Sequence, residues 1–463
     1  MTELPKGFTV RISERTRVYD AGRTLVGGSP TTVVHLSAAA ERLIEERLLT
    51  VRGARSSRLA ERLLDLDMAV PVIDELRPVP VGSVTIVVPV FDRAEQVDRL
   101  LRSVPEGIGI VLVDDCSPDP AAIAAVATAH GATVVRHREN RGPAAARNTG
   151  LAKVQTPFAA FVDSDVVLTP ETVPTLLRHF HDPKVALAAP RILGLHDTGR
   201  PSWITRYENA RSSLDLGNHP ALVKPGAPVA WVPSACVVVR VAALGDGFDT
   251  SLRVAEDVDL VWRLHHRGWR VRYEPAAFVH HEHRPEVASW WARKQYYGTG
   301  AHHLAVRHGK QVAPAVLSPW AVVLVAAILV QRRWSLPVAA LISFLVSRRI
   351  AGKVQQSPQA GRIGLRLAVE GAAAALSQTS ALMLRHWWPL AMVGGLFSSR
   401  LRRAVVVAAA VDTTVEYLRT DTDLDPVRFA TARRLDDLAY GTGVWMSALK
   451  HRSLTSLLPN LRR

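Results

Sequence analysis

The sequence predicts an α/β fold with a mainly parallel sheet at residues 83–300, between a small N-terminal module (1–80) and a helical C-terminal region (311–463). Three observations predict it. Short β-branched runs alternate with helix-compatible segments in the middle of the chain. Pro71, Pro78, Pro80 and Gly82 form a break before them, because proline fixes φ and removes a ladder donor. Long uncharged apolar runs, flanked by arginines, occupy the last third.

The 463 residues, 48% hydrophobic and 21% charged, are too many for one small core and too apolar for disorder. Two cysteines cannot build a disulfide framework, and the polar opening from Met1 to Tyr19 lacks the apolar core of a secretory signal. A cytosolic catalytic domain is therefore expected. In the N-terminal module an apolar alternation runs from Thr31 to Leu36. Ser37 then caps a helix expected over 38–48, and a second helix follows over 57–66.

In the middle region the strands are Val84 to Val88, Ile110 to Val113, Thr133 to Val135 and Phe158 to Val162. Continuous apolar strands between helices imply a sheet buried on both faces. All but the third are expected to end in polar or turn residues, and ligands of open α/β sheets bind at that edge. Pro89, Phe91 and Asp92 follow the first strand, Asp114 and Asp115 the second, Asp163 and Asp165 the fourth. Carboxylates there can accept hydrogen bonds from a base or ribose, or hold a divalent cation that in turn binds phosphate. Asp163 and Asp165 are two residues apart in extended chain and project to one side.

Gly142 opens a helix carrying Arg147 and Asn148, which can bond a nucleotide or brace the carboxylate edge. Downstream, Trp231 leads through Gly247, Phe248 and Asp249 to Glu256 and Asp257. Asp259 and Arg263 are four apart on the predicted helix and can pair. Asp257, near the helix start, is expected to stay ionised with help from the dipole and can then take a proton from an attacking hydroxyl. His280, His281 and His283 lie on one extended segment, and that spacing alone does not assemble a tetrahedral zinc site.

In the C-terminal region, residues 311–331 carry no charge and end at Arg332 and Arg333; residues 335–347 are likewise uncharged and end at Arg348 and Arg349. The first run approaches a bilayer span of ~20 residues while the second is short for one, so a hairpin or re-entrant pair is expected. From Arg332 onward there are 19 Lys/Arg against 8 Asp/Glu, which places 11 of the overall +15 in this region. Basic residues clustered around apolar runs point to an anionic membrane rather than to nucleic acid.

Taken in order, Val84 to Arg93, Asp114 with Asp115, Arg147 with Asn148, Asp163 with Asp165, Gly247 to Asp249, Glu256 with Asp257 and Arg263, and a later histidine resemble the family 2 glycosyltransferases of GT-A (Rossmann-like) fold. The resemblance covers about residues 83–300. Through both flanks, the whole chain is similar to a membrane-associated branch that adds glucose to a peptide-derived redox cofactor. It implies that Asp115, beside Asp114, holds the nucleobase in a pocket lined by Pro89 and Phe91. It also implies that Arg147, Asp163, Trp231, Glu256 and Arg263 contact substrate. Asp163 and Asp165 form the metal motif for Mg2+ or Mn2+, with Asp165 the direct ligand, and Asp257 is the base of an inverting transfer. The histidine six residues after Pro275 is His281, with His280 an alternative. The donor is UDP-glucose or a GDP-sugar, the acceptor is peptide-derived, and the catalytic domain lies on the cytoplasmic face of the cell membrane. The N-terminal module is similar to small winged-helix proteins that bind precursor peptides.

The competing readings are a cell-envelope glycan or lipid glycosyltransferase, a non-catalytic membrane adaptor, and a nucleotidyltransferase. The last should show a glycine-rich loop with a basic residue near the start of the domain, and residues 89–93 contain no glycine.

Overall fold

The computed structural model describes residues 3–195 and 201–461. The chain divides into two compact units, Met1–Thr198 with Ser212–His283, and Gly199–Arg211 with Arg284–Arg463. Residues 284–300, expected in the α/β domain, thus group with the second unit.

The first unit is built on one nine-stranded sheet. Its strands are β1 (Val84–Val90), β2 (Gly109–Asp114), β3 (Thr133–Arg136), β4 (Phe158–Val162), β5 (Val166–Leu168), β6 (Val185–Gly194), β7 (Ala221–Leu222), β8 (Cys236–Arg240) and β9 (Arg270–His281). The spatial order is β5-β9-β6-β8-β4-β1-β2-β3, with β7 also on β9. The half β4-β1-β2-β3 is parallel throughout. Beyond β4 the sheet is mixed, because β8 runs antiparallel to both β4 and β6. The expected strands are all present, and the expectation of a mainly parallel sheet holds for that first half, with one further parallel ladder, β6 on β9, in the mixed half. The reason is visible in burial: Ile86, Val88, Leu112 and Ala160 are buried as a continuous apolar layer between helices, as a parallel sheet requires. Helix α1 (Ala94–Arg102), α2 (Pro120–Ala129) and α3 (Pro143–Leu151) cross between these strands, and α4 (Glu256–His266) follows β8. Gly150 on α3 lies against Val87, and a Cβ there would overlap the valine, so helix and strand approach only because of this glycine.

Ahead of the sheet, residues 3–80 form two antiparallel three-stranded sheets and the helix Ala54–Asp65, around a core of Phe8, Val10, Ile12, Leu25, Leu49 and Leu63. The helix expected over 38–48 is capped by Ser37 as anticipated but ends at Glu41. Glu46 and Arg47 take positive φ, Arg47 donates to the carbonyls of Ile12, Ser13 and Thr16, and Leu49 turns into the core on a strand. These contacts outweigh the local helical pattern.

The module is fastened to the sheet by buried charge. Arg270 on β9 donates to Asp182 at 2.8 Å and to Asp65 at 2.7 Å. Lys184 pairs with Glu61 at 2.7 Å, and Asp67 accepts the amide of Leu222 at 2.8 Å. Burial works against the Arg270 charge, yet Asp182 and Asp65 outweigh it and raise its pKa. Arg270 and Asp182 are both buried, and removing one partner of such a pair costs about 3–5 kcal/mol, whereas the module's Asp65 is 56% exposed and adds less.

In the second unit, α5 (Val287–His308) and α11 (Pro426–Lys450) cross closely, with Gly298 and Gly443 each set against the other helix's backbone. Between them in sequence lie α6 (Pro319–Leu329), α7 (Ser335–Lys353), α8 (Ala360–Ala381), α9 (Trp388–Phe397) and α10 (Ser399–Arg419). The expected apolar hairpin is α6 and α7; α6 has 11 residues, far short of a span. Lys294 is buried with its ammonium 3.0 Å from Glu208 and 3.6 Å from Asp436, and Trp290 donates to the same Glu208.

Candidate functional site

The polar edge expected from the sequence forms where β1, β2 and β4 end and α4 begins. At the end of β1, Pro89 is half-buried and Phe91 is 51% exposed. Asp92 and Arg93 follow with φ of 63° and 67°, a left-handed turn that starts α1. At the end of β2 both carboxylates are buried. Asp114 accepts from the Ser117 amide at 2.8 Å and from Arg136 at 2.9 Å. Asp115 accepts from the Arg141 amide at 2.8 Å and the Gly142 amide at 2.7 Å, and pairs with His137 at 2.7 Å. Asp115 thus fastens residues 139–142 to the sheet. The third strand, expected to lack polar residues at its end, supplies Arg136 and His137 to these two carboxylates. Its apolar run is only three residues long, so the polar continuation was easy to read as loop.

Behind this edge, Arg147 on α3 is almost fully buried. It donates to Asp163 at 2.6 Å and to Glu256 at 2.9 Å, and its guanidinium lies 5.3 Å from the Phe248 ring centre. Burial opposes its charge, but the two carboxylates prevail and raise its pKa. Asn148 braces the neighbouring loop, donating to the Phe248 carbonyl at 2.7 Å and accepting its amide at 2.9 Å. Gly247 has φ of 71° and lies against the Asn148 amide, so any side chain there would strain the loop and collide. Arg263 pairs with Asp259 at 2.7 Å, as its spacing implied, and also donates to the Gly247 carbonyl at 2.7 Å. Trp231 is half-buried on the segment leading to Ser234.

Asp257 occupies the first turn of α4, beside the clamped Glu256. Its carboxylate accepts the Val258 amide at 2.8 Å and, more weakly, the Ser234 amide at 3.4 Å. The helix start was expected to keep it ionised. Instead burial, followed by the charge of Glu256, pushes it up to about 7, against the opposing pull of these amides and Arg147. A carboxylate titrating there can both accept and release a proton near neutrality.

Asp165 faces a different set. One oxygen accepts from Arg93 at 3.1 Å and the other lies 3.5 Å from His281 Nε2. His281 pairs with Val166 across the β5–β9 ladder, whereas His280 turns away, its Nδ1 3.1 Å from the Gly194 carbonyl. Strand alternation thus brings His281, and not His280, to Asp165. His281 Nδ1 is buried with no hydrogen-bond partner. Among the described residues no group of three metal-ligating side chains converges. Asp165 and His281, with Asp163 behind, nonetheless suit a hard cation, which takes one or two carboxylates and fills its shell with phosphate oxygens and water. Arg93, like Arg136 and His137, had no partner assigned from the sequence; its signal was its place directly after Asp92.

Comparison with known proteins bears on this geometry. Residues 85–229 match the family model "Glycosyl transferase family 2", and residues 160–393 match "Glycosyl transferase family group 2". Over the whole chain and 99% of its own length, a "Pre-mycofactocin glycosyltransferase" of Mycobacterium tuberculosis is 42% identical. A poly-beta-1,6-N-acetyl-D-glucosamine synthase of Staphylococcus aureus is 22% identical over 51% of this chain and 57% of its own. Among solved structures, a mannosyltransferase of Pyrobaculum calidifontis in complex with GDP-Man and Mn2+ is 18% identical. It covers 65% of this chain and 87% of its own, with a TM-score of 0.38.

Proposed function

The chain belongs to glycosyl transferase family 2, and from that membership we propose that it transfers a sugar, with inversion, from a nucleoside-diphosphate sugar to premycofactocin. The observation that carries the reading is the 42% identity along the full chain to a protein named for that acceptor. The site geometry supplies a chemistry to match it.

In this reading Asp257 takes the proton of an acceptor hydroxyl as the oxygen attacks the anomeric carbon. The nucleoside diphosphate departs on the opposite side, and an α-linked donor such as UDP-glucose gives a β-linkage. No covalent nucleophile is needed. Arg147 keeps Glu256 and Asp163 in place, so the base and the donor-side carboxylate keep a fixed separation. Phe91 and Pro89 offer a face for the base, with Asp114 and Asp115 holding the pocket's wall. Asp165, His281 and Asp163 would hold a Mg2+ or Mn2+ ion, whose chemistry is neutralisation of the departing diphosphate. The N-terminal module would bind the peptide part of the acceptor by strand addition. The second unit would contact an anionic membrane, with the catalytic unit on the cytoplasmic face.

Purified protein incubated with a peptide-derived acceptor and a panel of nucleotide sugars should give an acceptor heavier by one or more hexoses in mass spectrometry. Transfer to a lipid or glycan acceptor with none to the peptide-derived one would move the protein to cell-envelope synthesis. An absence of donor hydrolysis with every sugar would make it an adaptor.

A further inference from the structure

Given the membrane contact proposed above, the hairpins of the second unit set how deep that contact goes. Two helix hairpins in this unit come tip to tip. Helices α6 and α7 turn at residues 330–334, α9 and α10 turn at Ser398, and the Gln331 side-chain amide donates to the Arg400 carbonyl at 2.7 Å. Apolar side chains stand out at both turns. Phe397 is 87% exposed, Leu396 77%, Leu336 74% and Trp334 46%. The band continues along α7 and α9, where Phe344 and Met392 are also exposed. A contiguous apolar surface of this kind needs a cover.

Charge identifies the cover. Between residues 310 and 411 the chain carries 12 Lys/Arg and one acidic residue, Glu370, which is paired with Arg366. Arg332 and Arg333 flank the first tip; Arg402 and Arg403 flank the second and are held by the carbonyls of Gly395 and Ser399. An apolar wedge rimmed by arginines and a tryptophan complements the acyl chains and anionic headgroups of a bilayer surface.

Length decides the depth. The uncharged run of α7, residues 335–347, covers about 20 Å at 1.5 Å per residue, and the run 371–384 in α8 is barely longer, against a hydrocarbon core of about 30 Å. Arg332, Arg333, Arg348 and Arg349 close the first run and Glu370 and Arg385 the second, so although the two helices, at 19 and 27 residues, have the length of a span, crossing would draw these charges to the edge of the hydrocarbon. We propose that the two adjacent hairpin tips, Trp334–Leu336 and Leu396–Phe397, seat the second unit in one leaflet of an anionic bilayer without crossing it.

The test uses the full chain and preformed vesicles of phosphatidylcholine with or without phosphatidylglycerol. Wild type should float with the phosphatidylglycerol vesicles, and the double variant Leu396→Glu, Phe397→Glu should bind at least tenfold less while hydrolysing donor normally in solution. A fluorophore on Ser398→Cys, in a Cys116→Ser background, should be quenched by lipids labelled near the headgroup and be insensitive to a quencher sealed inside the vesicles. Undiminished binding by the double variant, or quenching from the vesicle interior, would overturn the one-leaflet seat and leave membrane contact standing. Failure of wild type to float at either composition would remove both. Light scattering showing a dimer that the same variant dissociates would assign the face to a second copy and overturn the inference.

Discussion

Replacing Asp257 by asparagine removes a proton acceptor at nearly constant volume, and the structure gives that change two opposite effects. Loss of a general base slows transfer by roughly 10²–10⁴-fold, while the Asn148 brace on Phe248 and the Arg147 clamp on Asp163 and Glu256 stay intact. Nucleotide binding should therefore remain near wild type. Stability should move the other way. The folded-state value of about 7 lies above the unfolded 3.8, so the folded chain binds the extra proton between these limits. The associated stability is present below about pH 4 and is lost as pH rises through 7. That displacement corresponds to at most ~4 kcal/mol, and because Asp257 is only half-buried, about 2 kcal/mol is the expectation. Asparagine carries no such cost, so the variant's melting temperature should exceed that of wild type by a few degrees at pH 8 and by much less at pH 4.5. Calorimetry at the two pH values, with turnover and nucleotide titration, checks all three outcomes. Near-normal turnover would place the base elsewhere, and a melting difference independent of pH would show that Asp257 is ionised in the folded protein throughout.

The acid limb of kcat/KM should fall near pH 7, and Glu256→Gln, by removing the neighbouring negative charge, should move it to lower pH; an unmoved limb would exclude Asp257 as the titrating base. Asp165→Ala, or chelation, should weaken nucleoside-diphosphate binding at least tenfold by calorimetric titration, and binding insensitive to both would refute the cation reading of Asp165 and His281. Deleting residues 1–78 strips Asp65 from Arg270 and Glu61 from Lys184, so the truncated chain should unfold at a lower denaturant concentration than the full chain. An unchanged unfolding midpoint would show that the module is merely tethered. Gly150→Ala should lower the melting temperature through the collision with Val87, and a stability equal to wild type would mean that α3 can lift off β1 freely.

The parallel half of the sheet was legible because its strands are uninterrupted β-branched or aromatic runs with no alternative use. The other half was not. Orientation of β8 is set by its ladder to β4, a contact between Phe161 and Val237 that no local pattern encodes. Helix propensity at residues 42–48 gave way to a buried leucine and an arginine cap formed with chain thirty residues earlier. In the site, the positions of Asp163 and Asp165 after an apolar strand and of Asp257 at a helix start were legible, because the flanking apolar runs fix where strand and helix begin and end. The roles of Arg136 and His137 could not, since partners of buried carboxylates are chosen by space and not by sequence distance. The pKa of Asp257 illustrates the same limit: the helix start was visible, whereas the burial and the ionised neighbour that overcome it exist only after folding.

Arg147 has a consequence for anyone who would alter what this enzyme uses. A guanidinium is a rigid planar fork, and here its two arms span Asp163 and Glu256, which in the proposed mechanism lie on the donor side and beside the base. Substitutions that shift Asp163 to accommodate a different nucleotide sugar would tilt that fork, relax its hold on Glu256 and change the proton affinity of Asp257. On the proposed mechanism, donor preference and pH optimum are therefore expected to change together. Directed evolution for a new sugar should recover second mutations on the first turn of α4, remote from the sugar itself, that retune the base.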